Sequence, residues 1–326
     1  MFYAANGPEQ CNNPPWMAKS VVRVSALSDQ SRSALLLALG GFALLSVGDV
    51  LVKSMAGAWP GTAIAALRYV FGTIGLGVLL LVKEGPASFT FPKLGWQIAR
   101  GGSVAVAAMT SFTAFHLMPI GEATAISFTS PMITAFLAAA LLKEPMRRQT
   151  WIATIIAFCG VLVILRPNLA VLGPAALLPV LAASGMALLM VANRNVTGTG
   201  SALSMQFNVA LIGAVFLCVG AVAGDASGIP LFAVPALPVS VLIKAAIISV
   251  TASCAHALLY LATTKAGAAS IAPMTYVQLL LAGTFGWALF GERPDLVSVA
   301  GALVIVAAGL YLWRTGRAVA TPAIGE

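Results

Sequence analysis

Residues 122–166 read EATAISFTSPMITAFLAAALLKEP, then MRRQ, then TWIATIIAFCGVLVILR. An apolar helix ends in Glu144-Pro145, a short basic turn follows, and a second apolar helix begins. The unit recurs near the C-terminus as SIAPMTYVQLLLAGTFGWALFGERP (270–294), followed by DLVSVAGALVIVAAGLYLWR (295–314). Laying Glu144 on Glu292 without gaps also superposes Ala140 on Ala288 and Leu141 on Leu289. Identity elsewhere is thin, so the repeat rests on hydropathy and on the two Glu-bearing ends. The expectation is a duplicated membrane bundle.

Composition points the same way. Charged residues are 9% of the chain and apolar residues 60%, whereas soluble domains carry about 25% charged residues. The Lys and Arg residues fall between apolar runs of about 20 residues, the length that crosses a bilayer core. The net charge of +8 therefore reads as membrane topology and not as nucleic-acid binding. Cys11, Cys159, Cys218 and Cys254 show no paired spacing. Neither a disulfide framework nor a metal site is expected, and no cofactor. The expected partners are a small-molecule substrate and the lipid bilayer, with the chain a monomer or a homodimer.

Residues 1–32 are polar and hold no apolar core before a small-residue cleavage site, so a secretory signal is not expected. They read as a disordered cytoplasmic tail, and Met17 is as plausible an initiator as Met1. Ten spans follow, near 34–54, 61–82, 98–118, 121–142, 150–165, 172–192, 203–223, 239–263, 268–290 and 296–313. The fold class is all-α, a polytopic membrane protein in which each helix satisfies its own backbone. Residues 33–167 form a first five-helix repeat and 168–315 a second, with 316–326 a cytoplasmic tail. With the N-terminus inside, only Lys53, Arg68, Arg166, Lys244 and Arg293 of the 18 basic residues lie toward the outer side. That asymmetry puts both termini in the cytoplasm of a cell with an inner (plasma) membrane location. Five spans per half turn the second copy upside down, so Glu144 and Glu292 belong to opposite faces. Secondary transporters use such inverted repeats for alternate opening.

Ionisable and polar groups inside spans are costly in lipid and are candidates for function. Asp49 and Lys53 lie one turn apart with Ser46 on the same face. They read either as a pathway-facing carboxylate that binds a proton or a substrate amine, or as a pair that neutralises itself near the outer end with Lys53 snorkelling. Arg68 pairs with Asp49 or holds a substrate carboxylate, and Gly72 and Gly75 on its face suggest close packing. Span eight carries the clearest stripe, Ser249, Ser253, His256 and Tyr260, which argues for a wet cavity over simple helix bridging. Span four presents Thr124, Ser127, Pro131 and Thr134 on one face, for a cavity or for tight packing. Glu122 opens it as a helix cap, and His116 ends span three near a loop. In span nine Thr275 and Gln278 share a face and Tyr276 lies on another. In span seven Gln206 and Asn208 line a cavity or bridge helices. Glu144 and Glu292 sit at helix C-termini, where an anion is disfavoured. They read as gate or loop anchors, with Arg147 or Arg148 and Arg293 as partners.

Ten spans in two inverted halves resemble the drug/metabolite transporter superfamily, in particular its EamA-type members. The residues carrying the resemblance are Asp49–Lys53, Arg68, Ala125-Ile126-Ser127-Phe128 through Pro131 to Leu142-Lys143-Glu144, and Gly291-Glu292-Arg293-Pro294. It covers residues 33–314. It implies a carrier of amino acids, metabolites, nucleotide-sugars or metallophores, often outward and proton-coupled, with a central cavity lined by spans one, three, four, six, eight and nine. Leu279 stands where the first half has Pro131, so the halves contribute differently. Few charges suit a small zwitterionic or amphiphilic metabolite better than a nucleotide-sugar. Asp49, Arg68, Thr124, Ser127, Pro131, Ser253, His256, Tyr260, Tyr276 and Gln278 are the expected substrate contacts. Asp49 and His256 are the proton-coupling candidates, because imidazole titrates near neutrality.

An enzyme is not expected: there is no Gly-x-Ser-x-Gly, no His-Glu-x-x-His and no paired-cysteine motif. The glycine run 72–77 lies inside a span and follows no strand. A channel or uniport permease remains the alternative, although pores usually need a symmetric assembly or a ring of charge.

Overall fold

The computed structural model describes residues 15–142, 148–196, 198–266 and 274–320. Among them the regular structure is helical throughout: α1 Pro15–Lys53, α2 Gly61–Glu84, α3 Leu94–Leu117, α4 Ile120–Ser127, α5 Ser130–Leu142, α6 Arg148–Leu172, α7 Leu178–Val196, α8 Ala202–Ala226, α9 Val239–Ala266, α10 Thr275–Phe290 and α11 Leu296–Ala320. Six stretches are long and apolar enough to cross a membrane: 32–53, 61–84, 120–141, 169–196, 202–226 and 239–262. Three shorter apolar helices, 151–166, 275–290 and 296–311, join them. The exterior is studded with exposed Leu, Ile, Val and Phe, as a bundle solvated by lipid requires.

The expected boundaries need three corrections. The stretch before Arg32, read as a disordered tail, is helical from Pro15 and continuous with the first span. No glycine or proline falls between Trp16 and Leu39, so nothing there ends the helix. The span at 121–142 is two helices, α4 and α5, because Pro131 at the start of α5 has no N–H to offer the turn behind it. At that break Thr129 donates both its N–H and its hydroxyl to the Ile126 carbonyl, at 3.1 and 2.7 Å. The short fifth span extends as α6 to Leu172, and a tight turn at Gly173–Leu177 leads into α7.

The helices pack in matched pairs. Alpha1 packs on α9 as α3 does on α7; α2 on α9 as α3 on α8; and α1 on α10 as α5 on α7. Two further pairs, α2 with α8 and α6 with α11, map onto themselves when the first five of the spans expected from the sequence are exchanged for the last five. Glycine sets the closest crossings. A Cβ on Gly160 of α6 would lie 2.9 Å from the Gly301 carbonyl of α11, and one on Gly301 would lie 2.8 Å from the Gly160 carbonyl. Likewise a Cβ on Gly185 would meet the Ser103 carbonyl of α3 at 2.8 Å. Small residues let backbones approach where lipid supplies no hydrophobic drive. Gly72 and Gly75, expected at a close contact, face open space. Alpha2 approaches its neighbours through Gly61, against Phe112 and Thr113, and Gly77, against Phe207.

Candidate functional site

The site is organised by α1. Ser46, Asp49 and Lys53 fall at i, i+3 and i+7, so they share one helix face, and that face packs against α10. Ser46 is fully buried and donates to the Gln278 carbonyl at 3.2 Å. The Gln278 side-chain amide in turn donates to Asp49 Oδ2 at 2.8 Å. Asp49 therefore takes its hydrogen bond from α10. It pairs neither with Lys53 nor with Arg68.

Asp49 and Arg68 line the same cavity, together with Leu44, Leu45, Gly48, Phe112, Ile248 and Ala252. Its volume is about 20 Å³, enough for a single water and for no metabolite. The Arg68 guanidinium lies over two aromatic rings, Tyr69 at 5.3 Å and Phe112 at 5.5 Å. Ser249 of α9 donates to the Arg68 main-chain carbonyl at 2.9 Å. Two rings within 6 Å hold a planar cation that would otherwise seek water. The cavity thus holds one carboxylate and one guanidinium, held apart by different partners.

One turn further along α1, Lys53 reaches a second cluster. Its ammonium donates to the carbonyls of Phe115 at 2.9 Å and Met118 at 2.7 Å, and it forms an ion pair with Glu292. The two carbonyls belong to the α3 C-terminus, whose orphan acceptors and negative dipole end suit a cation. Glu292 also accepts from the Ile120 N–H at 2.9 Å, at the α4 N-terminus, where the dipole suits an anion. His116 Nε2 lies 3.1 Å from the Val52 carbonyl and ties α3 to α1 from the other direction. Arg293, the expected partner of Glu292, is exposed. Lys53 takes its place.

The local sequence explains how Glu292 arrives there. Gly291 sits at φ 67°, a left-handed position that glycine occupies without strain. Its N–H reaches the Trp287 carbonyl at 3.1 Å, and the Glu292 N–H reaches the Gly286 carbonyl at 3.0 Å. This helix stop turns the chain back on itself. The Glu292 carboxylate then lies over Gly286, where a Cβ would meet Oε2 at 2.5 Å.

The other expected residues divide. Thr124 is buried and its hydroxyl has no hydrogen-bond partner among the described residues. Ser127 is turned onto the Ala123 carbonyl at 2.9 Å, and Pro131 marks the α4–α5 break. Tyr276 meets Phe128 of that break edge to face, with centroids 5.8 Å apart. On α9, Ser249 is buried, whereas Ser253, His256 and Tyr260 are exposed. The His256 Nδ1 lies 2.7 Å from the Ala252 carbonyl of its own helix. The stripe therefore divides into a buried end at Ser249, on the Arg68 carbonyl, and an accessible remainder. Asn208 neither lines the cavity nor bridges two helices: it donates to the Thr90 carbonyl in the α2–α3 loop at 2.9 Å, while Gln206 is exposed. Glu144 and its expected partner Arg147 lie outside the described residues. Sequence reasoning missed Phe112 and Tyr69 as the Arg68 cradle and Ile120 as a Glu292 partner. No spacing rule marks them. The Ser46–Asp49–Lys53 face was visible as a spacing.

The family model described as the EamA-like transporter family matches residues 32–166 and again 173–314. An S-adenosylmethionine uptake transporter of Rickettsia bellii is 29% identical over 271 residues, covering 82% of this chain and 88% of the relative. A riboflavin transporter of Brucella anthropi is 26% identical, over 78% of this chain and 88% of the relative. A pseudopaline exporter of Pseudomonas aeruginosa is 25% identical, over 89% and 99%. A solved crystal structure superposes with a TM-score of 0.58 at 19% identity, covering 88% of this chain and 99% of that one, and shares the fold.

Proposed function

The chain belongs to the EamA-like transporter family, and from that premise we propose that it moves a small zwitterionic or amphiphilic metabolite by alternating access. It is a multi-pass membrane transporter and not an enzyme, as its family and the names of its relatives say. The finer reading is ours: ten spans in two inverted five-helix halves, inner-membrane location, cytoplasmic termini, and export driven by inward proton movement. The packing pairs that interchange when the first five spans are swapped for the last five support the two halves.

One observation carries the substrate reading. Asp49 and Arg68 present opposite charges to a single cavity between α1, α2, α3 and α9. A substrate ammonium suits Asp49 and a substrate carboxylate suits Arg68, and each opposite-charge pair strengthens where water is scarce. A ligand of one sign only would leave one of the two uncompensated. The other expected contacts, Thr124, Ser127, Pro131, Ser253, Tyr260, Tyr276 and Gln278, shape the space that opens around them. Because the cavity now takes one water, binding requires α1 to separate from a neighbour. Glu292 is the gate on the outer side and Glu144 its counterpart on the inner. Asp49 and His256 carry the coupling proton.

Counterflow in proteoliposomes tests this reading, with S-adenosylmethionine, methionine, riboflavin and a nucleotide-sugar as probes. The expected result is saturable exchange of at least one zwitterion and none of the nucleotide-sugar, with Asp49→Asn and Arg68→Gln each inactive. Non-saturating flux at channel-like rates would sink the carrier mechanism.

A further inference from the structure

We propose that Gln278 is a positioning residue that links occupancy of Asp49 to release of the Lys53–Glu292 latch. The inference rests on the transporter reading of the Asp49 site.

The α1–α10 seam has two polar rungs. The lower one is Ser46 to the Gln278 carbonyl at 3.2 Å and the Gln278 amide to Asp49 at 2.8 Å. The upper one is Lys53 with Glu292. Both rungs connect the same two elements: Asp49 and Lys53 are a turn apart on α1, and Gln278 and Glu292 belong to α10 and its stop. The upper rung also seals the α3–α4 junction, through the Phe115 and Met118 carbonyls and the Ile120 N–H. Opening that end of the bundle therefore requires α1 to move from α10.

The Asp49 carboxylate is engaged by the Gln278 amide. A substrate ammonium forms a stronger, charge-assisted bond to the same carboxylate and competes with the amide. Displacement of the Gln278 amide removes the charged half of the lower rung and leaves Ser46 on the Gln278 main-chain carbonyl and the Lys53–Glu292 pair to hold the seam. A ligand shifts such an equilibrium only by its difference in affinity between the two states. Here that difference is the Asp49–Gln278 bond, which exists in the closed seam and not in the open one. The side chain that reports occupancy is thus Gln278, and the latch is its output.

The test uses the full chain in lipid nanodiscs with Cys11, Cys159, Cys218 and Cys254 replaced by Ser or Ala. Spin labels at Ala56→Cys and Arg293→Cys, both exposed, report the separation of α1 from the α10 end by pulsed dipolar spectroscopy. Gln278→Leu is expected to raise the wide-to-narrow ratio about tenfold with no substrate present, the effect of one hydrogen bond to a charged group. Asp49→Asn keeps an acceptor for Gln278 and is expected to hold the narrow distance. Glu292→Gln is expected to widen it directly. A narrow distance in Gln278→Leu, or in Glu292→Gln, overturns the proposal, as does a wide one in Asp49→Asn. The distance needs no substrate, so this can fail while counterflow succeeds, and the reverse.

Discussion

Gly286 and Glu292 are placed so that a methyl group on the first would collide with the carboxylate of the second, 2.5 Å from Oε2. The glycine is the floor on which the Glu292 side chain rests as it turns from the α10 stop toward Lys53 and Ile120.

Gly286→Ala is therefore expected to displace Glu292 from both partners, although alanine is the better helix former by about 1 kcal/mol. The detergent-solubilised protein should lose thermal stability, and a probe cysteine at Met118 should become reactive. A rise in stability, as propensity alone would give, would show that the carboxylate is free to move aside. Glu292→Gln should cost more than Gly286→Ala, because it leaves the Lys53 ammonium half-buried without an anion.

Arg100 is 5% exposed and takes neutral partners: it donates to Asn193 Oδ1 at 2.6 Å and to Gln97 Oε1 at 2.5 Å. Arg100→Met should cost about 1–3 kcal/mol, because the fully buried Gln97 side-chain carbonyl loses its charged donor. Arg100→Lys should recover only part, since an ammonium cannot reproduce the fork that reaches two helices. Unfolding in mixed micelles measures both.

At the α6–α11 crossing, Gly160→Val and Gly301→Val are each expected to force the helices apart, with Ile164 and Ile305 as the first side chains struck. Overpacking costs about 1–3 kcal/mol at one site. The double variant should fall short of the sum, because the first change already creates the gap that the second would fill. Full additivity would mean that the two glycines do not face each other.

Asp295 lies outside the spans and accepts from the Ser298 N–H at 2.7 Å, capping α11. Hydrogen bonding from Ser298 holds its carboxyl below the usual carboxylate range. A depressed folded-state value means that the cap stabilises above the unfolded value near pH 4 and is lost as pH falls through the folded value. Amide exchange at the start of α11 should accelerate on acidification in the wild type. Asp295→Asn, still a good cap, should flatten that dependence.

The chain-long pattern was legible because bilayer physics writes it into composition. Twenty-residue apolar runs and the placement of basic residues need no tertiary knowledge, and the family model matches residues 32–166 and 173–314. The Asp49, Arg68 and Gln278 candidates were legible for a related reason: polar groups in apolar helices stand out. What they touch was not. Lys53 looked like the partner of Asp49 by spacing along one helix, and Arg293 looked like the partner of Glu292 by adjacency. The structure pairs Lys53 with Glu292, and Asp49 with Gln278.

Two ranges of interaction separate these outcomes. Helix existence, the Gly291 stop and the break before Pro131 follow from backbone sterics and hydrogen bonding within a few residues, so the sequence alone determined them. Pairing between Lys53 and Glu292 depends on how α1, α3, α4 and α10 converge. That convergence is set by glycine contacts and side-chain packing among segments far apart in the chain. Only the tertiary structure could decide it, because a cation in a membrane bundle takes the nearest set of acceptors in space, whatever its distance in sequence.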